Sequence, residues 1–236
     1  MVKRISILVL ILILIIGLCY KCHRDKKEEE ARIAFIKAET EERYGEEFKV
    51  ESFQPARDYT WPNVLTLSND DGVIFNAYQY EDDTPGDDYI EALIDRKLAD
   101  YIISSQNISS NLQVNVIGVV RDYSLLTMDY YENFDPTPAN KDFIKIIIVI
   151  SMKDDIKEYK DELFDIYQEI LKYDTKVLEF EVVSYKKLNE KLTRILNNPL
   201  AYYNNHWDEY RGVKSYIDVR TRDIKSAEEL MKQIKK

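Results

Sequence analysis

An unbroken apolar run from Ile5 to Tyr20 constrains this chain more than any other feature. It is entered through Lys3 and Arg4 and left through the charged stretch Lys21–Glu30. A hydrocarbon core about 30 Å thick takes about 17 to 25 apolar helical residues. Met1 and Val2 lengthen the run, and Lys3 can snorkel to the headgroups. The expectation is an uncleaved single-pass anchor with its basic flank over residues 1–24, in contact with the bilayer through residues 5–20. Two other readings share this start. A cleaved signal peptide has a shorter apolar region, about 7 to 15 residues, and a small-x-small exit. The exit here is Ile16-Gly17-Leu18-Cys19-Tyr20. A lipoprotein would carry lipid on Cys19, but the bulky Leu18 stands where its processing prefers a small residue. For orientation, the Lys/Arg count favours the C-terminal flank as cytoplasmic. The short basic tail is the signal-anchor arrangement, and on it we expect the C-terminal domain to be extracytoplasmic.

The rest of the chain is acidic. The first thirty residues hold six of the 33 Lys and Arg and four of the 43 Asp and Glu, so residues 31–236 carry a formal charge of −12. Nucleic acids demand a basic patch and are excluded as partners on this ground. A basic protein surface, a cation or plain solubility all suit such a charge. Both cysteines sit at the membrane edge, so the remainder is expected to fold without a disulfide.

Periodicity supplies the elements. Residues 25–44 read as a helical stem, with Ile33, Ile36, Thr40 and Tyr44 on one face and Gly45 as its stop. Phe48, Val50 and Phe53 suggest a strand. Val64–Ser68 and Val73–Tyr80 flank Asn69-Asp70-Asp71-Gly72, a hairpin signal. The loop 81–86 leads to a helix capped near Asp87/Asp88, with Ile90, Leu93, Ile94, Leu98, Tyr101 and Ile102 on its face. Leu112–Val120 is a strand. Residues 133–141, with Pro136 and Pro138, are expected to separate a first lobe, 25–132, from a second, 142–236. In the second lobe Phe143–Met152 is apolar on both faces, as in a central strand. A helix capped by Asp154 or Asp155 follows. Then come strand Val177–Tyr185, a short helix at 186–197, strand Val213–Thr221 and a last helix opened by Asp223. The fold expected is α+β, a transmembrane helix followed by lobes of helix and antiparallel sheet, the second sheet possible as a mixed one. A parallel α/β second lobe is the alternative.

Several constellations bear on chemistry. Cys19-Tyr20-Lys21-Cys22-His23 matches the haem-attachment spacing, with His206 as a second axial ligand. A haem needs an apolar pocket, and the next residues are charged, so no cofactor is expected. Asp70/Asp71, Glu81–Asp83 and Asp87/Asp88 form an acidic cluster whose spacing fits no calcium loop, and turn or cap roles account for it. No metal site is expected. The segment Tyr202-Tyr203-Asn204-Asn205-His206-Trp207-Asp208-Glu209-Tyr210 is dense in the residues that anchor protein interfaces. Tyr202, Tyr203, Trp207 and Tyr210 are therefore the candidate partner-binding residues, with cover for the second lobe's core as the other reading of the same aromatics. No Gly-rich phosphate loop, nucleophile elbow or His-Glu-x-x-His helix occurs, and no residue is singled out as catalytic.

The phrase Glu42-Arg43-Tyr44-Gly45-Glu46-Glu47-Phe48-Lys49-Val50 resembles one found in many small membrane-anchored proteins of Gram-positive bacteria, where a helix ending in Tyr-Gly leads to a Phe-x-Val strand. Asp88-Tyr89-Ile90-Glu91-Ala92-Leu93 is similar to a second phrase of the same uncharacterised proteins. The resemblance implies location and fold over roughly residues 1–120, and no activity. The helix-into-hairpin opening is similar, in architecture alone, to small extracytoplasmic domains of the PepSY type.

These observations lead to an expected membrane-anchored, non-catalytic domain that binds or regulates a protein of unknown identity. An immunity or inhibitor protein is the sharper alternative, its acidity suiting a basic toxin. An envelope enzyme using carboxylates or a metal is the alternative from another class.

Overall fold

The computed structural model describes residues 2–56, 61–80, 84–106, 108–187 and 213–235, with side chains from residue 21 onward. The chain divides after Tyr89 into two units, each with its own four-stranded sheet.

The first unit opens with helix α1, Val2–Tyr44, which runs without a break through the expected anchor and stem. Among the described residues no helix is long and apolar enough to cross a membrane. The side chains of Ile5–Tyr20, where the anchor is expected, lie outside those residues. Along residues 21–35 the helix is exposed on nearly every side and carries i,i+4 ion pairs, Arg24–Glu28 and Lys26–Glu30. From Ile36 on it buries a stripe, Ile36 and Thr40, and ends as the stop signal predicts. Gly45 adopts φ 68° and donates its N–H to Glu41 O at 2.8 Å.

Strands β1 (Lys49–Gln54), β2 (Asn63–Ser68), β3 (Ile74–Gln79) and β4 (Pro85–Asp87) follow as an antiparallel meander in that order. The hairpin signal at 69–72 holds. Gly72, at φ 77°, donates to Asn69 O, and Asn69 Oδ1 takes the Val73 N–H at 2.9 Å. The expected loop at 81–86 is corrected in part, since Pro85–Asp87 returns along β3 as a strand. Leu65, Leu67, Phe75 and Ala77 form the buried face. Against it stands an aromatic cluster in which Phe48 meets Phe75 at 4.9 Å and Tyr89 meets both Tyr44 and Phe48, at 4.8 and 5.1 Å.

The second unit contains helix α2 (Tyr89–Gln106) from Ile90 on, strand β5 (Gln113–Val120), helix α3 (Met128–Glu132), strand β6 (Phe143–Met152), helix α4 (Lys160–Ile170), strands β7 (Val177–Tyr185) and β8 (Val213–Val219), and helix α5 (Ala227–Met231). The sheet order is β5-β6-β7-β8, antiparallel, parallel, antiparallel. This is the mixed sheet of an α+β unit, not a parallel α/β lobe. The expected central strand is central, with Ile146–Ile150 buried on both faces.

The division at residue 89 differs from the expected connection at 133–141. Leu112–Val120 reads locally as a first-lobe strand, yet β5 pairs with β6 along its whole length. Residues 133–141 therefore run inside the second unit, between α3 and β6, where Tyr173 Oη bonds Pro136 O. Two helix starts also move. Asp155 caps a 3-10 turn, Ile156–Tyr159, that feeds α4. Ser226, not Asp223, caps the last helix, its hydroxyl taking the Glu229 N–H. Asp223 instead accepts from the Thr221 hydroxyl at 2.9 Å. The expected helix at 186–197 lies, beyond Lys187, outside the described residues.

Gly118 on β5 faces the Phe143 ring, and a Cβ there would overlap it. Gly118→Ala should cost the second unit about 1–3 kcal/mol. Gly86→Ala, whose Cβ meets nothing nearer than 3.8 Å, should stay within about 0.5 kcal/mol. Denaturant titration of the two variants measures the contrast.

Candidate functional site

Side chains alternate across a strand, so the register fixes which residues share a face of the second sheet. Ile146, Ile148, Ile150, Phe180 and Val182 point to one face. Helix α4 lies there, its Tyr167 ring 5.5 Å from Phe180. The other face carries Ile117, Lys145, Ile147, Val149, Glu179, Glu181, Val183, Tyr185, Tyr216 and Asp218.

This second face has two halves. Towards the start of β6 and β7 it is charged. Lys145 Nζ donates to Glu179 Oε1 at 2.8 Å, and both side chains are less than 10% exposed. Glu181 is buried beside them. Arg220 donates to Asp218 Oδ1 at 3.2 Å. Burial pulls the Arg220 guanidinium pKa down, but the Asp218 carboxylate, joined by Glu179 and Glu181, more than offsets it and raises the value. Two buried carboxylates, a buried ammonium and a half-exposed ion pair thus share one end of one sheet face. Towards the ends of β6 and β7 the face is apolar, a cluster of Ile117, Ile147, Val149, Val183 and Tyr185 with Val119, Val213 and Tyr216 packed on it. The Ser151 hydroxyl in this half is buried with no hydrogen-bond partner among the described residues, a departure from the usual satisfaction of buried polar groups.

Glu179 is committed to Lys145, and the second unit has no histidine or cysteine among its described residues. An ion pair held this deep is costly to break, because removing either partner leaves a buried charge uncompensated. The sequence signal for it was present and unused: Lys145 interrupts an isoleucine-rich strand, and Glu179 and Glu181 interrupt another, all at spacings that fall on one face.

The residues expected to act are placed unevenly. Tyr202, Tyr203, Trp207 and Tyr210, with His206, lie outside the described residues. Their flanks are described: Tyr185 at the end of β7 is paired with Val213 at the start of β8, on the apolar half of the second face. Cys22 is an exposed free thiol and His23 is exposed beside it on α1. Of the acidic cluster, Glu81–Asp83 lie outside the described residues, and the remaining carboxylates take separate structural roles. Asp70 and Asp71 form the exposed hairpin turn. Asp87 binds Arg43 and takes the Tyr44 hydroxyl at 2.6 Å. Asp88 takes the Asn76 N–H at 2.6 Å and the Tyr78 hydroxyl at 3.0 Å. Burial raises the Asp88 pKa, and these hydrogen bonds counter it without cancelling it. Among the described residues no group of three His, Cys, Asp or Glu side chains could hold a metal ion.

Losing one partner of the buried pair leaves the other uncompensated. Lys145→Met should cost about 3–5 kcal/mol, while Lys145→Met with Glu179→Met should recover most of that loss. A double-mutant cycle by denaturation measures the coupling.

No family model and no curated protein matches the chain. A solved structure of a DUF5037 family protein from Ruminococcus gnavus is similar, with a TM-score of 0.54, 16% identity, and coverage of 84% of this chain and 97% of that one. At that identity the likeness shows the fold alone.

Proposed function

We propose that this protein is a single-pass, membrane-anchored domain without catalytic activity that binds or restrains another protein outside the cell. The observation that carries the reading is the continuity of α1, which joins the apolar run Ile5–Tyr20 to the first sheet with no break in the helix. Its exposed stretch, residues 21–35, spans about 22 Å at 1.5 Å per residue. That is a stalk, and a stalk serves a domain that works at a set distance from a surface. The resemblance of residues 42–50 and 88–93 to membrane-anchored proteins of Gram-positive bacteria agrees with this location, while the DUF5037 likeness lends a fold and no activity.

The contact residues we assign are Tyr202, Tyr203, Trp207 and Tyr210. Exposed Tyr and Trp contribute large contact area at low entropic cost. The formal charge of −12 over residues 31–236 favours a basic partner, which supports the immunity or inhibitor version of the reading. A carboxylate enzyme is the competing class, resting on Glu179 and Glu181.

Protease shaving of wall-free cells bearing a C-terminal tag tests the location. Loss of the tag from intact cells, with the N-terminal fragment resisting carbonate extraction, is the expected result. A tag that survives until lysis would overturn an external domain. For the contact, a photoreactive residue at Trp207 should give a discrete heavier adduct in cells, abolished in the presence of Tyr203→Ala and Tyr210→Ala; adduct formation indifferent to those changes would contradict the assignment.

A further inference from the structure

The chain between β5 and β6 carries two large apolar side chains into solvent from a closely bonded backbone. Tyr123 and Leu125, two residues apart, are 61% and 40% exposed. Both belong to a 3-10 turn, Tyr123–Leu125, that Asp122 caps by accepting the Ser124 N–H at 2.9 Å and its hydroxyl at 2.7 Å. Leu126 and Thr127 continue it with backbone bonds to Tyr123 O and Leu125 O. Thr127 then caps α3, its hydroxyl taking the Tyr130 N–H at 3.2 Å. Asp142, at the entry to β6, clamps both ends of the segment. Its carbonyl takes the Arg121 N–H at 2.7 Å and its carboxylate the Tyr130 hydroxyl at 3.0 Å. Lys97 of α2 holds α3 as well, donating to Tyr131 O at 2.6 Å with its ammonium 4.0 Å from the centre of the Tyr131 ring. A backbone so bonded has already lost the freedom that binding would otherwise take from it, so a contact made by Tyr123 and Leu125 costs little entropy.

The charge around these side chains selects the partner. Asp122, Asp129, Glu132 and Asp135 are all exposed, and within residues 121–135 Arg121 is the single cation. Lys97 is spent on Tyr131. The Ser124 hydroxyl, with the Ser124 N–H behind it, holds the Asp122 carboxyl below the ordinary carboxylate range and so keeps it anionic in mild acid. Such a rim repels phosphates and anionic lipid headgroups and attracts Lys and Arg. We propose that residues 121–135 form a docking surface for a cationic amphipathic segment of a partner protein. Tyr123 and Leu125 meet the apolar side chains of that segment, and Asp122, Asp129 and Glu132 meet its Lys and Arg. The proposal rests on the protein-binding reading given above and adds to it a second surface, apart in sequence from Tyr202–Tyr210.

Fluorescence anisotropy with the purified full-length protein in nanodiscs of zwitterionic lipid tests this. The probe is a labelled helical peptide of Leu and Lys at amphipathic spacing, with a Leu/Glu peptide and a Ser/Lys peptide as counterparts. The Leu/Lys peptide should bind at least about tenfold more tightly than either counterpart. Tyr123→Ala with Leu125→Ala, both at exposed positions that the fold does not depend on, should weaken binding at least about tenfold. Asp129→Asn with Glu132→Gln should weaken it several-fold and flatten its salt dependence. Asp70→Asn with Asp71→Asn removes the same charge at the exposed turn of the first sheet and should leave binding unchanged. No binding, parity with the Ser/Lys peptide, indifference to Tyr123 and Leu125, or an equal loss from the Asp70 and Asp71 changes would each overturn the docking surface. The two readings fail separately: the crosslink from position 207 in cells tests the external protein-binding domain, and the peptide titration tests residues 121–135.

Discussion

The parallel pairing of β6 with β7 is the constraint around which the second unit is built. Two parallel neighbours cannot be joined by a tight turn, so the chain must leave the sheet and return, and α4 is that return. The pair runs in register from Lys145 with Val177 to Met152 with Ser184. Strands this apolar need cover on both faces. The Lys145–Glu179 pair crosses the two strands within this core and penalises a slipped register, because a shift would strand two charges away from water. β5 and β8 then close the sheet as antiparallel edges, and each edge is attended. Asp95 of α2 takes the Gly118 N–H of β5 at 2.7 Å, and Lys235 pairs with Tyr216 of β8. Unpaired edges invite association, and these contacts remove part of the invitation.

The first unit depends on a smaller device at the end of α1. Glu41 takes the Phe48 N–H at 2.8 Å and binds Lys37, and the Lys37 bond, with the Phe48 bond behind it, holds the Glu41 pKa below its ordinary value. The turn Gly45–Glu47 is thus fixed from the helix side. Arg43 and Tyr44 reach Asp87, so the same helical turn is tied to β4. Tyr89 completes the arrangement, giving its hydroxyl proton to Glu46 and accepting from Asn69. The last turns of α1 are therefore part of the fold and not a loose tether.

Local pattern revealed most elements and little of their partnership. The Tyr-Gly helix end, the Asn-Asp-Asp-Gly turn and the doubly apolar strand at 143–152 are written in side chains a few residues apart, and each stands where expected. Sheet membership is decided by pairing at long range, so β5 was placed with its sequence neighbours rather than with β6. Pro136 and Pro138 looked like a boundary because prolines punctuate chains, but a buried tyrosine, Tyr173, ties that segment into the second unit. Pro85–Asp87 is too short and too polar to read as a strand; only its pairing with β3 makes it one. The burial of Lys145, Glu179 and Glu181 is not legible from local pattern, because a Lys or Glu in a strand faces solvent wherever a sheet is covered on one side only. Of the candidate contact residues, the aromatics of 202–210 were legible as a cluster, but sequence spacing does not tell cover from contact.

The central claim is that β6 and β7 form the most protected layer of the protein because both their faces are covered. Native-state hydrogen exchange of the full-length chain tests it most directly. The account predicts that the amides of Ile146–Ile150 and Phe180–Val183 exchange slowest of all, and only through global opening of the second unit. Exchange of those amides at the rate of local fluctuations, faster than Leu65 and Phe75 of the first sheet, would contradict it and show the second face to be open to water.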